Sequence, residues 1–217
     1  MTNLMLVPDG MRRWSVVRGV PLDDGHKAMA DKLVEFTDWA KDDGITTLYV
    51  ATSSAADLGR PGAGVMSLLA AFDDAARRTR HTCAFDFSGA LDLVPKEYLT
   101  RLEELRDESA KEPGFTLHYV LGMSPAEEII QLFHRLNGKV PELTGKILAE
   151  NAYVPQQVDY FLRTGGAVRM SSFFPLMSPH AELHFSPVLF PDLQRADFDT
   201  ALKDLRQRER FYGDRPA

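Results

Sequence analysis

Short apolar runs alternating with longer stretches of helical period predict one α/β domain: a mostly parallel central sheet of about six strands covered by helices on both faces. Two observations carry this. The β-rich runs at 4–7, 46–51, 83–87, 115–121, 158–162 and 182–185 are short and almost continuously apolar, as strands covered on both faces are. No Pro/Gly/Ser-rich linker, internal repeat or low-complexity tract interrupts the 217 residues, so 1–217 reads as a single domain.

The helices follow in order. Leu33, Phe36, Thr37 and Ala40 fall at i, i+3, i+4 and i+7, one helix face, and Gly44 supplies the stop. Val65, Leu68, Leu69 and Phe72 repeat the pattern after Pro61. Tyr98, Leu99, Leu102 and Leu105 do so between Pro95 and Pro113-Gly114. Ile129, Ile130, Leu132, Phe133 and Leu136 form a fourth helix closed by Asn137-Gly138, and a last one is expected over 197–210. In open α/β sheets ligands bind beyond the carboxyl ends of strands, so motifs there are the most informative.

Composition narrows the function classes. With 25 Lys+Arg against 31 Asp+Glu the formal charge is −6, which argues against a nucleic-acid partner held by bulk positive charge. The single cysteine, Cys83, excludes a disulfide framework and a cysteine-based zinc site. The first nine residues lack the basic and apolar regions of a signal peptide, and no stretch reaches the ~18 apolar residues of a membrane span. The expectation is a soluble, cytoplasmic protein with no integral membrane segment.

Against this acidic background the arginine clusters are informative. The first strand ends in Pro8-Asp9-Gly10-Met11-Arg12-Arg13-Trp14. A carboxylate can take a divalent cation, glycine admits close backbone approach, and arginine supplies forked donors to phosphate. Asp-Gly is equally a common turn. The second cluster, Arg163-Thr164-Gly165-Gly166-Ala167-Val168-Arg169-Met170-Ser171, follows a strand. Its two glycines permit a nest of N–H donors, its arginines bring charge and Ser171 a hydroxyl; the alternative is a turn with salt-bridged arginines. Glu182 opens the last strand and reads either as a metal ligand or as an edge-strand ion pair.

Together the clusters resemble the cis-prenyltransferases, the undecaprenyl diphosphate synthase superfamily. That family carries Asp-Gly-Asn-Gly-Arg-Trp after its first strand, then Gly-His, then Arg-x-Gly-Gly-x-x-Arg-x-Ser, then Ala-Glu-Leu-x-Phe-x-x-x-Leu-x-Pro-Asp. Here these are Asp9 to Trp14, Gly25-His26, Arg163 to Ser171, and Ala181-Glu182-Leu183-His184-Phe185 through Pro191-Asp192. The tail 206–213 is similar to the family's ending, and the resemblance covers essentially the whole chain. It implies the family's fold, small allylic diphosphates as substrates, Mg²⁺ as cofactor and a homodimer. It implies Asp9 and Glu182 as the metal carboxylates, and Asp9, Arg13 and His26 as the catalytic set. Gly10, Met11, Arg12, Trp14 and Arg60 fall in the substrate-binding segments, and Arg163, Arg169 and Ser171 match the second diphosphate site. The apolar tails need a tunnel, at ~0.8 kcal/mol per buried CH₂. The strip Val65, Met66, Leu68, Leu69, Ala70, Ala71 and Phe72 is a candidate wall, and equally ordinary core.

The departures from the family pattern are specific. Its Asn after Asp-Gly is Met11 and the next Gly is Arg12; its Arg three residues before Gly-His is Leu22. The Phe-Ser-x-Glu-Asn-Trp-x-Arg-Pro motif is reduced to Thr52-Ser53-Ser54-Ala55-Ala56-Asp57-Leu58-Gly59-Arg60-Pro61, its Glu, Asn and Trp not kept in register, and Asn-Tyr-Gly-Gly-Arg has become Gly122-Met123-Ser124-Pro125-Ala126. This pattern resembles the branch of lavandulyl, cyclolavandulyl and isosesquilavandulyl diphosphate synthases. It implies head-to-middle coupling of an allylic donor, geranyl or dimethylallyl diphosphate, to C2 of dimethylallyl diphosphate, with His26 or the released diphosphate as proton acceptor. Ala55, Ala56, Ala70 and Ala71 suggest room for geranyl diphosphate. A conventional head-to-tail synthase using isopentenyl diphosphate is the alternative. A non-catalytic partner subunit is disfavoured by the retained Asp9, Gly10, Arg13 and Glu182.

Overall fold

A computed structural model of the chain describes residues 2–59, 62–109, 114–176 and 178–208. The order is β1 (Asn3–Val7), α1 (Met11–Arg18), α2 (Leu22–Asp42), β2 (Thr47–Ala51), α3 (Ala55–Leu58), α4 (Ala63–Thr79), β3 (Ala84–Gly89), α5 (Lys96–Glu108), β4 (Thr116–Leu121), α6 (Pro125–Leu136), α7 (Gly145–Asn151), β5 (Tyr160–Arg163), β6 (Glu182–Phe185) and α8 (Arg195–Arg206). The strands form one sheet, β3-β4-β2-β1-β5-β6, and all five pairings are parallel. The expected α/β domain with a six-stranded sheet is therefore present, and the sheet is wholly parallel among the described residues. The last helix, expected over 197–210, runs over Arg195–Arg206; residues 209 and 210 lie outside the described residues.

The sheet's alternation sets its two layers. Leu4, Leu6, Leu48, Val50, Leu117 and Tyr119 point into the larger core with Met29, Leu33 and Phe36 of α2, Leu69 and Phe72 of α4, Leu102 of α5 and Phe198 of α8. Phe36 meets Phe198 edge-on at 4.8 Å, and the buried Tyr119 hydroxyl donates to the Phe72 carbonyl at 2.9 Å. Such satisfied polar tips let large rings sit fully inside.

Met5, Val7, Tyr49, Ala51, Val120 and Phe161 face the other way, onto Tyr153, Val154 and Val158. The helical cover expected on this face is here irregular chain over residues 152–158. Pro155 explains it, since the residue before proline is driven out of the helical region. Glu128 of α6 pins this segment by accepting the Tyr153 N–H at 2.6 Å. Buried His118 joins the same pinning: its Nε2 lies 2.8 Å from Ser88 Oγ, and that hydroxyl donates to the Tyr153 carbonyl.

α2 starts well before its apolar signature. Gly25 and His26 are buried on the same side as Met29 and Leu33. A Cβ on Gly25 would stand 2.3 Å from Ser15 Oγ and 2.9 Å from the Met11 carbonyl, so glycine here lets α1 and α2 pack closely.

Candidate active site

β1 lies between β2 and β5. The chain leaves β1 for β2 on one side, and leaves β5 for β6 on the other. Their carboxyl ends thus border a topological switch point, the place where open α/β sheets bind ligands. Asp9 follows β1 there, and Arg163 closes β5.

The two are joined directly. Arg163 Nη2 lies 2.9 Å from Asp9 Oδ2, while Arg13 Nη2 lies 3.3 Å from Oδ1. The Asp9 backbone is held as well: its N–H donates to Thr164 Oγ1 at 2.9 Å, and that hydroxyl lies 3.0 Å from the Asp9 carbonyl. The same carbonyl accepts the Phe190 N–H at 3.0 Å. Thr164 is fully buried, so these bonds are shielded from water.

Arg163 also organises the loop that follows it. Its Nη1 donates to the Arg169 carbonyl at 2.7 Å and to Ser171 Oγ at 3.0 Å. Ser171 is the one non-glycine residue with positive φ, at 55°, among the described residues. Such a conformation costs on the order of 1–3 kcal/mol and persists where surrounding contacts over-determine it. Arg163 Nε is buried with no hydrogen-bond partner among the described residues. Gly165 has φ +83°, and a Cβ there would approach Arg13 Nη2 to 2.6 Å and the Asp9 carbonyl to 2.9 Å. Its own carbonyl accepts from Arg13 Nη1 at 2.5 Å. Asp9, Arg13, Arg163, Ser171 and the Gly165-Gly166 turn are therefore one assembly.

A cleft of about 430 Å³ opens beside it, lined by Asp9, Gly10, Met11, Arg12, Leu22, His26, Thr52, Ser53, Asp57, Val65, Leu68 and Phe173 among others. α1 begins at the cleft, so its first amides and the Arg12 side chain can meet an anion. His26 Nδ1 lies 2.9 Å from Ser67 Oγ, and burial, reinforced by Arg12 and opposed by Asp23, lowers its pKa. A neutral imidazole beside a guanidinium can accept a proton or donate one hydrogen bond. Trp14 stands behind α1, where its Nε1–H donates to Asp192 at 2.9 Å beneath the Arg18 guanidinium.

Not every expected residue joins the assembly. Arg60 lies outside the described residues, as does part of the tail 206–213. The Arg169 side chain is exposed, and its contribution inside the site is its carbonyl. Glu182, expected as a metal carboxylate, is not brought to Asp9 within one chain. It pairs with Tyr160, which lies level with Leu4, whereas Arg163 lies level with Val7. Parallel strands put Glu182 at the amino edge, roughly 16 Å along the sheet from Asp9 at ~3.3 Å per residue. There it meets Arg208 at 3.3 Å. The wall strip is also divided: Val65 and Leu68 line the cleft, Leu69 and Phe72 are core, Met66 is exposed, and Ala70 and Ala71 border a separate groove. Ala55 and Ala56 are not in the cleft lining.

Thr164 and Asp192 were not singled out from sequence. Thr164 sits inside a recognised motif with nothing in its type to mark it as the buried clasp of Asp9. Among the described residues no group of three or more His, Cys, Asp or Glu side chains can hold a metal ion. Asp9, one third exposed at the cleft, still fits Mg²⁺, which is commonly held by one or two carboxylates together with substrate phosphates and water.

Fold and site together define an α/β protein whose switch-point cleft is lined by Arg12, the first turn of α1 and the carboxylates of Asp9 and Asp57, with an apolar side from Met11, Leu22, Val65 and Leu68. The chain belongs to the cis-prenyltransferase family: the model described as putative undecaprenyl diphosphate synthase matches residues 7–213. An isoprenyl transferase of Thermus thermophilus is 29% identical, over 97% of this chain and 88% of the relative. Isoprenyl transferase 1 of Streptomyces avermitilis is 27% identical over the same shares. Lavandulyl diphosphate synthase from Lavandula x intermedia, solved in complex with dimethylallyl diphosphate, superposes with a TM-score of 0.87 at 22% identity over 98% of both chains. A probable undecaprenyl diphosphate synthase from Campylobacter jejuni gives 0.77 at 24%, again over 98% of both. The chain is a prenyltransferase of this family, and the two structures bear on its fold. None of the helices is long and apolar enough to cross a membrane, among the described residues.

Proposed function

We propose that this prenyltransferase makes an irregular, lavandulyl-type diphosphate by joining C1 of an allylic diphosphate to C2 of dimethylallyl diphosphate. One observation carries the reading: Met11 and Leu22, at positions where the family pattern has Asn and Arg, both line one cleft. Both polar positions have become apolar. At Met11 that suits an acceptor alkene better than the polar surroundings of isopentenyl diphosphate, and at Leu22 it removes a guanidinium from the donor side. The volume of about 430 Å³ is near the lower end of the usual range for ligand sites, ~300–1,000 Å³, which supports short substrates.

The reaction balances as follows. The donor's allylic C–O bond breaks and its electron pair leaves on diphosphate. The C2=C3 pair of dimethylallyl diphosphate attacks the donor C1, forming one C–C bond and a tertiary cation at C3. A methyl proton leaves, and His26 takes it. Ring closure before that loss gives a cyclised skeleton. In this reading Arg12 and Arg13 hold the donor diphosphate, Arg163 and Ser171 hold the acceptor diphosphate, and the exposed Arg169 guanidinium turns in from the loop to join them once it is bound. Their charge counts most where negative charge develops, in a water-poor site. Asp9, with the substrate phosphates, would hold Mg²⁺, whose positive charge stabilises the departing diphosphate.

Incubation with dimethylallyl and geranyl diphosphates, then mass and NMR analysis of the dephosphorylated alcohols, tests this. A branched C15 alcohol is expected with geranyl diphosphate as donor, and a branched C10 alcohol from dimethylallyl diphosphate alone. A linear cis-prenol that consumes isopentenyl diphosphate as the sole product sinks the proposal. We also propose the homodimer that the resemblance implies; the exposed Ile129, Ile130 and Phe133 on α6 give it an apolar face to bury. Sedimentation at micromolar concentration showing only monomer would refute it.

A further inference from the structure

We propose that Ser67 is a positioning residue for His26, its hydroxyl accepting from Nδ1–H so that the unprotonated Nε2 is turned toward the substrate cleft. The inference rests on the reading of His26 as proton acceptor and goes beyond it.

The geometry comes from two helices. His26 lies on α2 and Ser67 on α4, and the Nδ1–Oγ distance is 2.9 Å. The ring is 5% exposed, yet it borders both the cleft that holds Asp9 and the outer groove that holds Ser67. Nδ1 is thus committed across the helix pair, and Nε2 has no hydrogen-bond partner among the described residues. Which ring nitrogen carries the proton is set by the bond the other makes. An imidazole that gains a proton at Nε2 must already carry one at Nδ1, and needs an acceptor there before and after the transfer. A hydroxyl meets that need without adding charge.

The charged surroundings leave this task to Ser67. Arg12 on α1 and Asp23 on α2 act on the ring in opposite senses. Lys27 and Asp31 on α2 and Asp74 on α4 line the outer groove, but each has an ion pair of its own: Lys27 with Asp24, and both aspartates with Arg78. No carboxylate bonds to the ring, so the neutral hydroxyl is the group that fixes it.

The test uses the full chain with the allylic diphosphates, and ¹⁵N-histidine NMR of the same protein. Ser67→Ala is expected to lower kcat about tenfold with little change in KM. It should also move the acidic limb of the kcat–pH profile to lower pH, because the imidazolium loses an acceptor. Ser67→Thr, which keeps the hydroxyl, should restore both. Two-bond ¹⁵N–¹H correlations should place the His26 proton on Nδ1 in the wild type, and on both nitrogens in exchange in Ser67→Ala. A wild-type profile and tautomer in Ser67→Ala overturns the role of Ser67, even if the variant is less heat-stable. If His26→Ala keeps the acidic limb, the reading of His26 fails and the role of Ser67 falls with it.

Discussion

Arg163 reaches across the sheet to Asp9, placing Nη2 2.9 Å from Oδ2, although 154 residues separate them. The arginine is almost wholly buried and the aspartate one third exposed. Each therefore serves the other: the carboxylate neutralises a buried cation, and the cation orients the carboxylate at the cleft.

Removing Asp9 should accordingly have two separable effects. Asp9→Asn keeps the shape and should lower kcat by about 10²–10³, the scale on which electrostatic groups at a reacting centre act. Asp9→Ala should lose at least as much activity and also unfold at lower denaturant, by about 1–2 kcal/mol. That is less than the ~3–5 of a fully buried pair, because Asp9 is partly solvated. Turnover assays and urea melts of both variants measure this. Undiminished activity in Asp9→Ala would refute the site.

Gly165 offers a steric test. Its φ is +83°, and a Cβ there would come within 2.6 Å of Arg13 Nη2, so Gly165→Ala must displace the guanidinium. The expected result is a rise in KM for the diphosphate substrates of tenfold or more, about 1.4 kcal/mol. Gly166→Ala, whose Cβ would come no closer than 3.8 Å to Pro187, shares the backbone strain and not the clash, so it should raise KM less. Equal KM values for the two variants would show that the turn alone matters.

Leu22 probes the proposed chemistry. Leu22→Arg returns a guanidinium to the cleft at the position where the family carries one. A charge-assisted bond to phosphate is worth about 1.5–3 kcal/mol, so the KM for the allylic donor should fall by about tenfold or more. Steady-state kinetics against donor concentration checks this; an unchanged or higher KM means that the donor diphosphate does not pass Leu22.

His118 predicts a pH dependence of stability. Burial lowers its pKa, with Asp86 opposing, so the unfolded chain binds a proton that the folded chain resists. The group's folded value lies below its unfolded value near 6.5. Its neutral, bonded state is intact above that pH, and stability falls as pH drops below it, by up to about 1.4 kcal/mol per pH unit. Urea melts between pH 7 and 5 should show the decline, and His118→Gln should flatten it. An identical slope in the variant would assign the effect elsewhere.

The strands were legible because short apolar runs, bounded by glycine, proline and polar residues, have few other readings. The site's two halves were legible because each motif sits at a strand's carboxyl end. The level of Glu182 was not legible because a motif carries no sense of height along the sheet: only the parallel register with Tyr160 shows that it opens its strand at the amino edge. The early turns of α2 were hidden because Gly25 and His26 occupy the buried stripe without being apolar. The cover of the second face escaped periodicity for a different reason: Tyr153 and Val154 reach the core from irregular chain held by Glu128, and such a segment has no repeat to detect.

The clasp of Asp9 by Thr164 and Arg163 has a consequence for how the enzyme comes into being. One half of the clasp follows β1 and the other closes β5, 154 positions later in the chain. The clasp cannot form until β5 docks beside β1. Closing so long a loop is a slow, late event, of the kind that high contact order imposes. Ligand binding therefore reports complete folding, and diphosphate added during refolding should favour the finished state over any intermediate that lacks β5.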